Sequence, residues 1–202
     1  MYKISKLLVN RLNNLQNLRN RYIVKDCIAI ANDLKKLKIH ENHRMITFDI
    51  KDLYVNIPIQ ETLRVTKILL LENNNEHTNK QMITLLEVTL QQNIVHSVIT
   101  FTNPEKGVSM GSPISNTVAE IFLEDRKHTP ETDTRCTFYA RYVDGILLIY
   151  NTKHTTPEII HRYINNVHPN LQFTPTFEHN NSISFLDILI IRRPTQIEID
   201  IV

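Results

Sequence analysis

Apolar residues recur at Ile4, Leu7, Leu8, Leu12, Leu15 and Leu18, the three-and-four spacing that makes one face of a helix. A second helix is predicted over Lys25 to Leu37, with Ile28, Ile30, Ala31 and Leu34 as its apolar stripe. The pattern then changes: Arg44 to Ile50 (RMITFDI) is short and β-prone and predicts a strand. Pro58 is well placed to begin a helix, because its missing N–H would be unpaired there in any case. That helix is predicted to run to about Leu71, and another fills Asn79 to Gln92. His96 to Phe101 has strand character, and Pro113 opens a further helix over Ile114 to Glu124. Phe138 to Tyr142 and Ile146 to Tyr150 are β-prone runs separated by a short turn. Thr156-Pro157-Glu158 has the order N-cap, first helical residue, first-turn acid, for a helix reaching about Val167. Phe173 to Phe177 and the nearly all-apolar Ile183 to Ile191 are predicted strands, and the asparagine pairs between apolar segments, such as Asn180-Asn181, read as turns.

Helices, strands and a hairpin in mixed order argue for an α+β protein: an antiparallel sheet with helices packed on one face, in a split βαβ form. At 202 residues the chain can bury one sizeable core. The net charge of +2 neither demands nor excludes a polynucleotide partner. No apolar run approaches the ~18 residues of a membrane helix, and the N-terminus does not read as a signal peptide. The expectation is an intracellular protein, nuclear or cytoplasmic, not secreted and without a membrane partner. Cys27 and Cys136 stand alone, without metal spacing, and His154 and His161 read as surface residues. Asn180-Asn181-Ser182 has the form of a glycosylation acceptor, but no secretory signal supports it.

Three segments could carry chemistry. In Phe48-Asp49-Ile50-Lys51-Asp52-Leu53-Tyr54 a carboxylate ends an apolar strand, where burial is costly unless a cation or donors meet it; the bland alternative is an Asp capping a turn. Gly107-Val108-Ser109-Met110-Gly111-Ser112-Pro113-Ile114-Ser115 holds two of the chain's three glycines just before a helix. Glycine lets backbone approach a ligand and a helix N-terminus favours phosphate or a base edge, although, taken alone, the segment reads better as a plain loop with a Pro-started helix. It lacks the Gly-Lys-Ser/Thr ending of a Walker loop. In Arg141-Tyr142-Val143-Asp144-Gly145, Asp-Gly between β-prone runs is a hairpin-turn signal.

Together, strand-Asp, Gly-Ser-Pro loop and Tyr-x-Asp hairpin occur in the order found in reverse transcriptases. FDIKDLYVNIP resembles the first catalytic motif of that family, GVSMGSPISNTVAEIFLE its helix-start motif, RYVDGILLIY its Arg-Tyr-Val-Asp-Asp hairpin, and HPNLQFTPTFEHNNSISFLDILIIR the strands that follow. Asn56-Ile57-Pro58, Met110 to Pro113 and Phe185-Leu186-Asp187 resemble the Penelope-like retroelements in particular. The resemblance implies a reverse-transcriptase palm acting as an RNA-directed DNA polymerase by two-metal nucleotidyl transfer. Two Mg²⁺ (or Mn²⁺) ions are then expected. Asp49 and Asp144 would be the catalytic residues and metal ligands, with the Ile50 carbonyl as a further ligand. Tyr54 would pack under the incoming sugar, leaving no room for a 2′-hydroxyl, and Gly111, Ser112 and Pro113 would line the nucleotide and template. The implied partners are an RNA template, a DNA primer and deoxynucleoside triphosphates.

The chain departs from the family pattern in places. Gly145 stands where the family has a second hairpin Asp, making it a degenerate catalytic position, and Asn116 stands where the family has Pro. Asp187 matches a family position and is expected to be structural, lying in a late strand. The expected organisation is an N-terminal helical segment over 1–43, the palm over 44–193, and a truncated end over 194–202, with fingers, thumb and endonuclease missing. Gly145 and those missing parts would reduce activity. The alternative is therefore a catalytically inactive nucleic-acid-binding module or a transposon relic.

Overall fold

β1 (His43–Ile50) is the strand around which the first sheet is built. Side chains on both of its faces are buried, as an interior strand requires, until Asp49 emerges at its end. It pairs antiparallel with β3 (Gly145–Asn151) and β4 (Phe173–Phe177), and β2 (Cys136–Tyr142) completes the order β2-β3-β1-β4. The computed structural model describes residues 2–13, 23–71, 76–92, 106–124 and 136–201. The predicted strand at His96 to Phe101, and Leu15 and Leu18 of the first apolar stripe, lie outside the described residues.

The chain forms two compact units. One contains the first sheet, a second antiparallel sheet of β5 (Ser182–Phe185), β6 (Ile188–Arg192) and β7 (Ile197–Ile201), and two helices. The sequence predicted a single strand over Ile183 to Ile191. Instead the chain reverses at Leu186-Asp187, with Leu186 at φ +54° and Phe185 paired with Ile188. Asp187 thus sits in a turn rather than a strand. Met45, Leu147 and Ile149, from one face of the first sheet, pack with Ile183, Phe185, Ile188, Ile190 and Ile197 of the second.

The helix α2 (Cys27–Leu34) adds Ile30 and Leu34 to the same core. It starts where the Asp26 carboxylate accepts the Ala29 N–H at 2.8 Å. Ile28, expected in its apolar stripe, is instead 68% exposed, because Ile30 and Leu34, one turn apart, define the buried line. Helix α7 (Pro157–Asn165) begins at Thr156-Pro157 as predicted and stacks His161 on Phe48, on the opposite face of β1. Asn180 (φ +49°) and Asn181 (φ +61°) make the turn before β5, the pair of left-handed residues that a tight hairpin favours.

The other unit is helical: α1 (Tyr2–Asn13), α3 (Leu53–Asn56), α4 (Ile59–Leu71), α5 (Glu76–Gln92) and α6 (Ser115–Glu124). α1 buries Ser5, Leu8 and Leu12 and leaves Ile4 and Leu7 exposed, so its inner face is rotated from the predicted stripe. The Pro58 carbonyl accepts the Thr62 N–H, the first bond of α4. Buried Asn79 of α5 donates through Nδ2 to the Leu70 carbonyl at 2.6 Å, tying α5 back to the end of α4. The α+β architecture of antiparallel sheet and covering helices is as the sequence predicted. No helix among the described residues is long and apolar enough to cross a membrane.

Candidate active site

The β2–β3 hairpin brings Asp144 beside the end of β1. Tyr142 pairs with Gly145, and Gly145 also stands directly opposite Asp49. The turn residues are therefore Val143 and Asp144, one step before the Asp-Gly pair that the sequence suggested, and Gly145 is the first residue of β3. Val143 adopts φ +52°. A β-branched residue in the left-handed region is strained, at about 1–3 kcal/mol, and persists only where its surroundings hold it. The hold is visible: buried Arg141 donates through Nη1 to the Val143 carbonyl at 2.9 Å. The Ile50 N–H donates to the Asp144 carbonyl at 3.0 Å, which fastens the turn to β1. The sequence placed Arg141 in this hairpin but gave it no role, because a buried charge leaves no periodic signal.

A cleft of about 250 Å³ opens at this point, lined by Asp49, Asp144, Gly145 and Tyr142 with Ser184, Phe185 and Leu186 of the β5–β6 hairpin among others. The buried ring of Phe185 covers Gly145: a Cβ built on the glycine would lie 3.2 Å from Phe185 Cε2. Asp49, exposed toward the cleft, has its pKa raised above the usual carboxylate value, first by partial desolvation and then by the negative charge of Asp144. The structure thus places two acids on one cleft. No group of three or more His, Cys, Asp or Glu able to hold a metal occurs among the described residues. Two carboxylates still suit a hard cation that completes its shell with water and phosphate oxygens. The donor set fits Mg²⁺ or Mn²⁺ in that sense.

The raised Asp49 pKa has a consequence for stability. The folded chain binds this proton more tightly than the unfolded chain, so the contribution is fully present below the ordinary pKa of 3.8 and lost as pH rises through the raised value. Asp49→Asn is expected to melt about 1–2 °C above the parent at neutral pH, a modest effect because the group is partly solvated. The gap should close as the pH falls toward 4, by differential scanning calorimetry. A gap independent of pH would show that the Asp49 pKa is not raised in the folded chain.

The remaining predicted site residues belong to the helical unit. Tyr54 lies on α3, just after Asp52, which is left-handed at φ +50°. The segment at Gly107 runs beside it: the Val108 N–H donates to the Tyr54 carbonyl and the Gly107 N–H to the Ile57 carbonyl, both at 2.8 Å. A Cβ at Gly107 would meet the Val55 carbonyl at 3.1 Å, so this close approach and φ +99° call for glycine. Gly111 (φ +87°) is exposed with open space around it, and Ser112 and Pro113 lead from it into α6. The Tyr54 hydroxyl donates to Asn116 Oδ1 at 2.5 Å. That contact joins residues 62 positions apart and was not legible in the sequence.

An antiparallel sheet in the order β2-β3-β1-β4, with acids on its central strand and hairpin turn, defines a palm-type α+β domain. The profile of the reverse transcriptase (RNA-dependent DNA polymerase) family matches residues 2–172, and the chain belongs to that family. No curated protein matches it. Among solved structures, it is similar to apo telomerase from Candida tropicalis, at a TM-score of 0.70 and 13% identity, over 98% of this chain and 40% of that one. It is also similar to telomerase from Candida albicans in complex with a TWJ fragment of telomeric RNA, at a TM-score of 0.62 and 14% identity, over 98% of this chain and 38% of that one. At such identities the likeness carries the fold. The chain spans well under half the length of those telomerase chains.

Proposed function

We propose that the chain is the palm region of an RNA-directed DNA polymerase from a Penelope-like retroelement. The observation that carries the catalytic part is the pairing of Asp49 and Asp144 on one cleft, with the Asp49 pKa raised by partial burial and then by its neighbour's charge. The Penelope-like assignment is supported by the wording of three motifs, Asn56-Ile57-Pro58, Met110 to Pro113 and Phe185-Leu186-Asp187.

In this reading Asp49 and Asp144 hold two divalent cations, Mg²⁺ or Mn²⁺, with the Ile50 carbonyl as a further ligand. Held there, such ions would supply Lewis-acid activation of a primer 3′-hydroxyl and charge neutralisation on the triphosphate. The chain's own contribution is positional. Arg141 and the Ile50 N–H fix the backbone on either side of Asp144, so the carboxylate is presented with little freedom to lose. Tyr54 packs under the sugar of a deoxynucleoside triphosphate, and Gly111, Ser112 and Pro113 face the nucleotide and an RNA template at the start of α6.

Gly145 favours a second reading, a nucleic-acid-binding module without catalysis, because it removes one acid from the hairpin at the position facing Asp49. Primer extension on an RNA template separates the two. The purified chain should show weak Mg²⁺- or Mn²⁺-dependent extension that Asp49→Asn and Asp144→Asn abolish. If neither the chain nor its Gly145→Asp variant adds a nucleotide, the catalytic reading fails. Salt-dependent binding to the primer–template duplex would then support the module.

A further inference from the structure

Tyr54 is held from two directions within the helical unit. Its backbone carbonyl accepts the Val108 N–H at 2.8 Å, and its hydroxyl donates to Asn116 Oδ1 at 2.5 Å, at the short end for O–H···O bonds. Asn116 is the second residue of α6. The resembling family motif has Pro at that position, and Pro offers no side-chain acceptor. The tether is therefore a property of this chain's own sequence.

The acceptor is itself fixed in place. Next to Asn116, the Ser115 hydroxyl donates to the Ser109 carbonyl at 2.6 Å. The Ser115 N–H donates to the Ser112 carbonyl at 3.1 Å, and the Ser112 N–H to the Ser109 carbonyl at 3.2 Å. The loop from Ser109 to Ser115, which carries Gly111, Ser112 and Pro113, is thus laced to the first turn of α6. Through Asn116 that turn holds the far end of the Tyr54 ring, while Val108, from the same segment, holds the Tyr54 backbone. The hydroxyl lies on the ring's long axis, so a bond there restrains χ1, the torsion that swings the ring aside.

We propose that Asn116 is a positioning residue for Tyr54, and that it sets how strictly the nucleotide site selects a deoxyribose over a ribose. The inference rests on the reading of Tyr54 as the sugar contact. A ring that excludes one oxygen atom does so only if it does not swing aside, and the bond to the Asn116 amide opposes that swing. Without the tether, the ring gains rotamers that make room for a 2′-hydroxyl. Discrimination then falls while binding of the deoxynucleotide changes little. Asn116 is exposed and lies outside the core, so its replacement leaves the fold intact.

The test uses the full chain bound to a dideoxy-terminated DNA primer on an RNA template with Mn²⁺. The dissociation constants of the next complementary dATP and of ATP are measured for the parent and its variants. Asn116→Ala and Tyr54→Phe should each lower the dATP-over-ATP preference about fivefold, the factor one neutral hydrogen bond carries. The double variant should lose no more than either single one, because all three remove the same bond. Asn116→Asp, which keeps an acceptor oxygen, should retain the parent's preference. An unchanged preference in Asn116→Ala, or additive losses in the double variant, would overturn the role of Asn116 while leaving Tyr54 as the sugar contact. A parent complex that binds neither nucleotide, or both equally, would overturn the reading of Tyr54 and this inference with it.

Discussion

Gly145→Asp is expected to tighten Mg²⁺ or Mn²⁺ binding about tenfold, the scale on which a metal-supporting carboxylate acts. Gly145 stands directly opposite Asp49, so a side chain there projects on the same face of the sheet as the Asp49 carboxylate. Its φ lies outside the left-handed region, so the backbone accepts an L-residue without strain. The obstacle is the Phe185 ring, which a Cβ would approach to 3.2 Å, with the Tyr142 carbonyl at 3.5 Å. Phe185 is buried, and moving its ring by a few tenths of an ångström costs part of the 1–3 kcal/mol typical of overpacking. A third acid beside Asp49 and Asp144 adds repulsion as well. The variant should therefore melt below the parent without cations, more so as pH rises, and recover with Mg²⁺. Tyr142 lines the same cleft, so tyrosine-sensitised Tb³⁺ luminescence gives a direct readout of cation affinity. Equal Tb³⁺ affinity in parent and variant would mean that position 145 does not address the Asp49–Asp144 cleft.

That prediction depends on Phe185, which the sequence did not place. Much of the fold was readable because local chemistry and tertiary structure agree there. β1 follows from its β-prone run, α4 from Pro58, α7 from Thr156-Pro157 and the turn before β5 from Asn180-Asn181. The two misread turns share one physical cause. Val143 and Leu186 both occupy left-handed turn positions, at φ +52° and +54°, where local propensity would put Gly or Asn. Val143 is held by the Arg141 side chain and Leu186 by packing against the core, so one turn was misplaced and the other missed. In the strand read as Ile183 to Ile191, both arms of the hairpin face the core, so apolar residues continue on either side of the reversal and a lone Asp187 marks it. The pairing of Asp49 with Asp144 followed from motif order. Phe185 on Gly145 and Asn116 on Tyr54 are contacts between distant positions, 40 and 62 residues apart, that no local pattern encodes.

Glu178→Ala is expected to destabilise the sheet unit by about 3–5 kcal/mol, the cost of leaving a buried charge without its partner. Glu178 follows β4 with its side chain 11% exposed, and Arg192 ends β6 with its side chain 8% exposed. The pair is bidentate: Arg192 Nη2 donates to Oε1 at 2.7 Å and Nε to Oε2 at 3.2 Å. Glu178 Oε2 also accepts the Met45 N–H of β1 at 3.0 Å, so one carboxylate joins the first sheet to the second. Truncation leaves a guanidinium and a backbone N–H short of an acceptor. Arg44, 3.5 Å away with its side chain 40% exposed, adds little, as surface pairs do. At about 2–4 °C per kcal/mol for a chain of this size, the melting temperature should fall by roughly 6–20 °C. Glu178→Leu with Arg192→Met should recover much of the loss, since an apolar pair removes the unpaired charge together with its partner. A loss under about 1 kcal/mol in Glu178→Ala would show that the pair is solvated rather than buried. The consequence reaches the cleft, because Met45 lies on the strand that ends in Asp49 and β6 leads back through the hairpin that carries Phe185 over Gly145. Glu178→Ala should thus weaken Tb³⁺ binding although the residue touches neither acid, and the apolar pair should restore it.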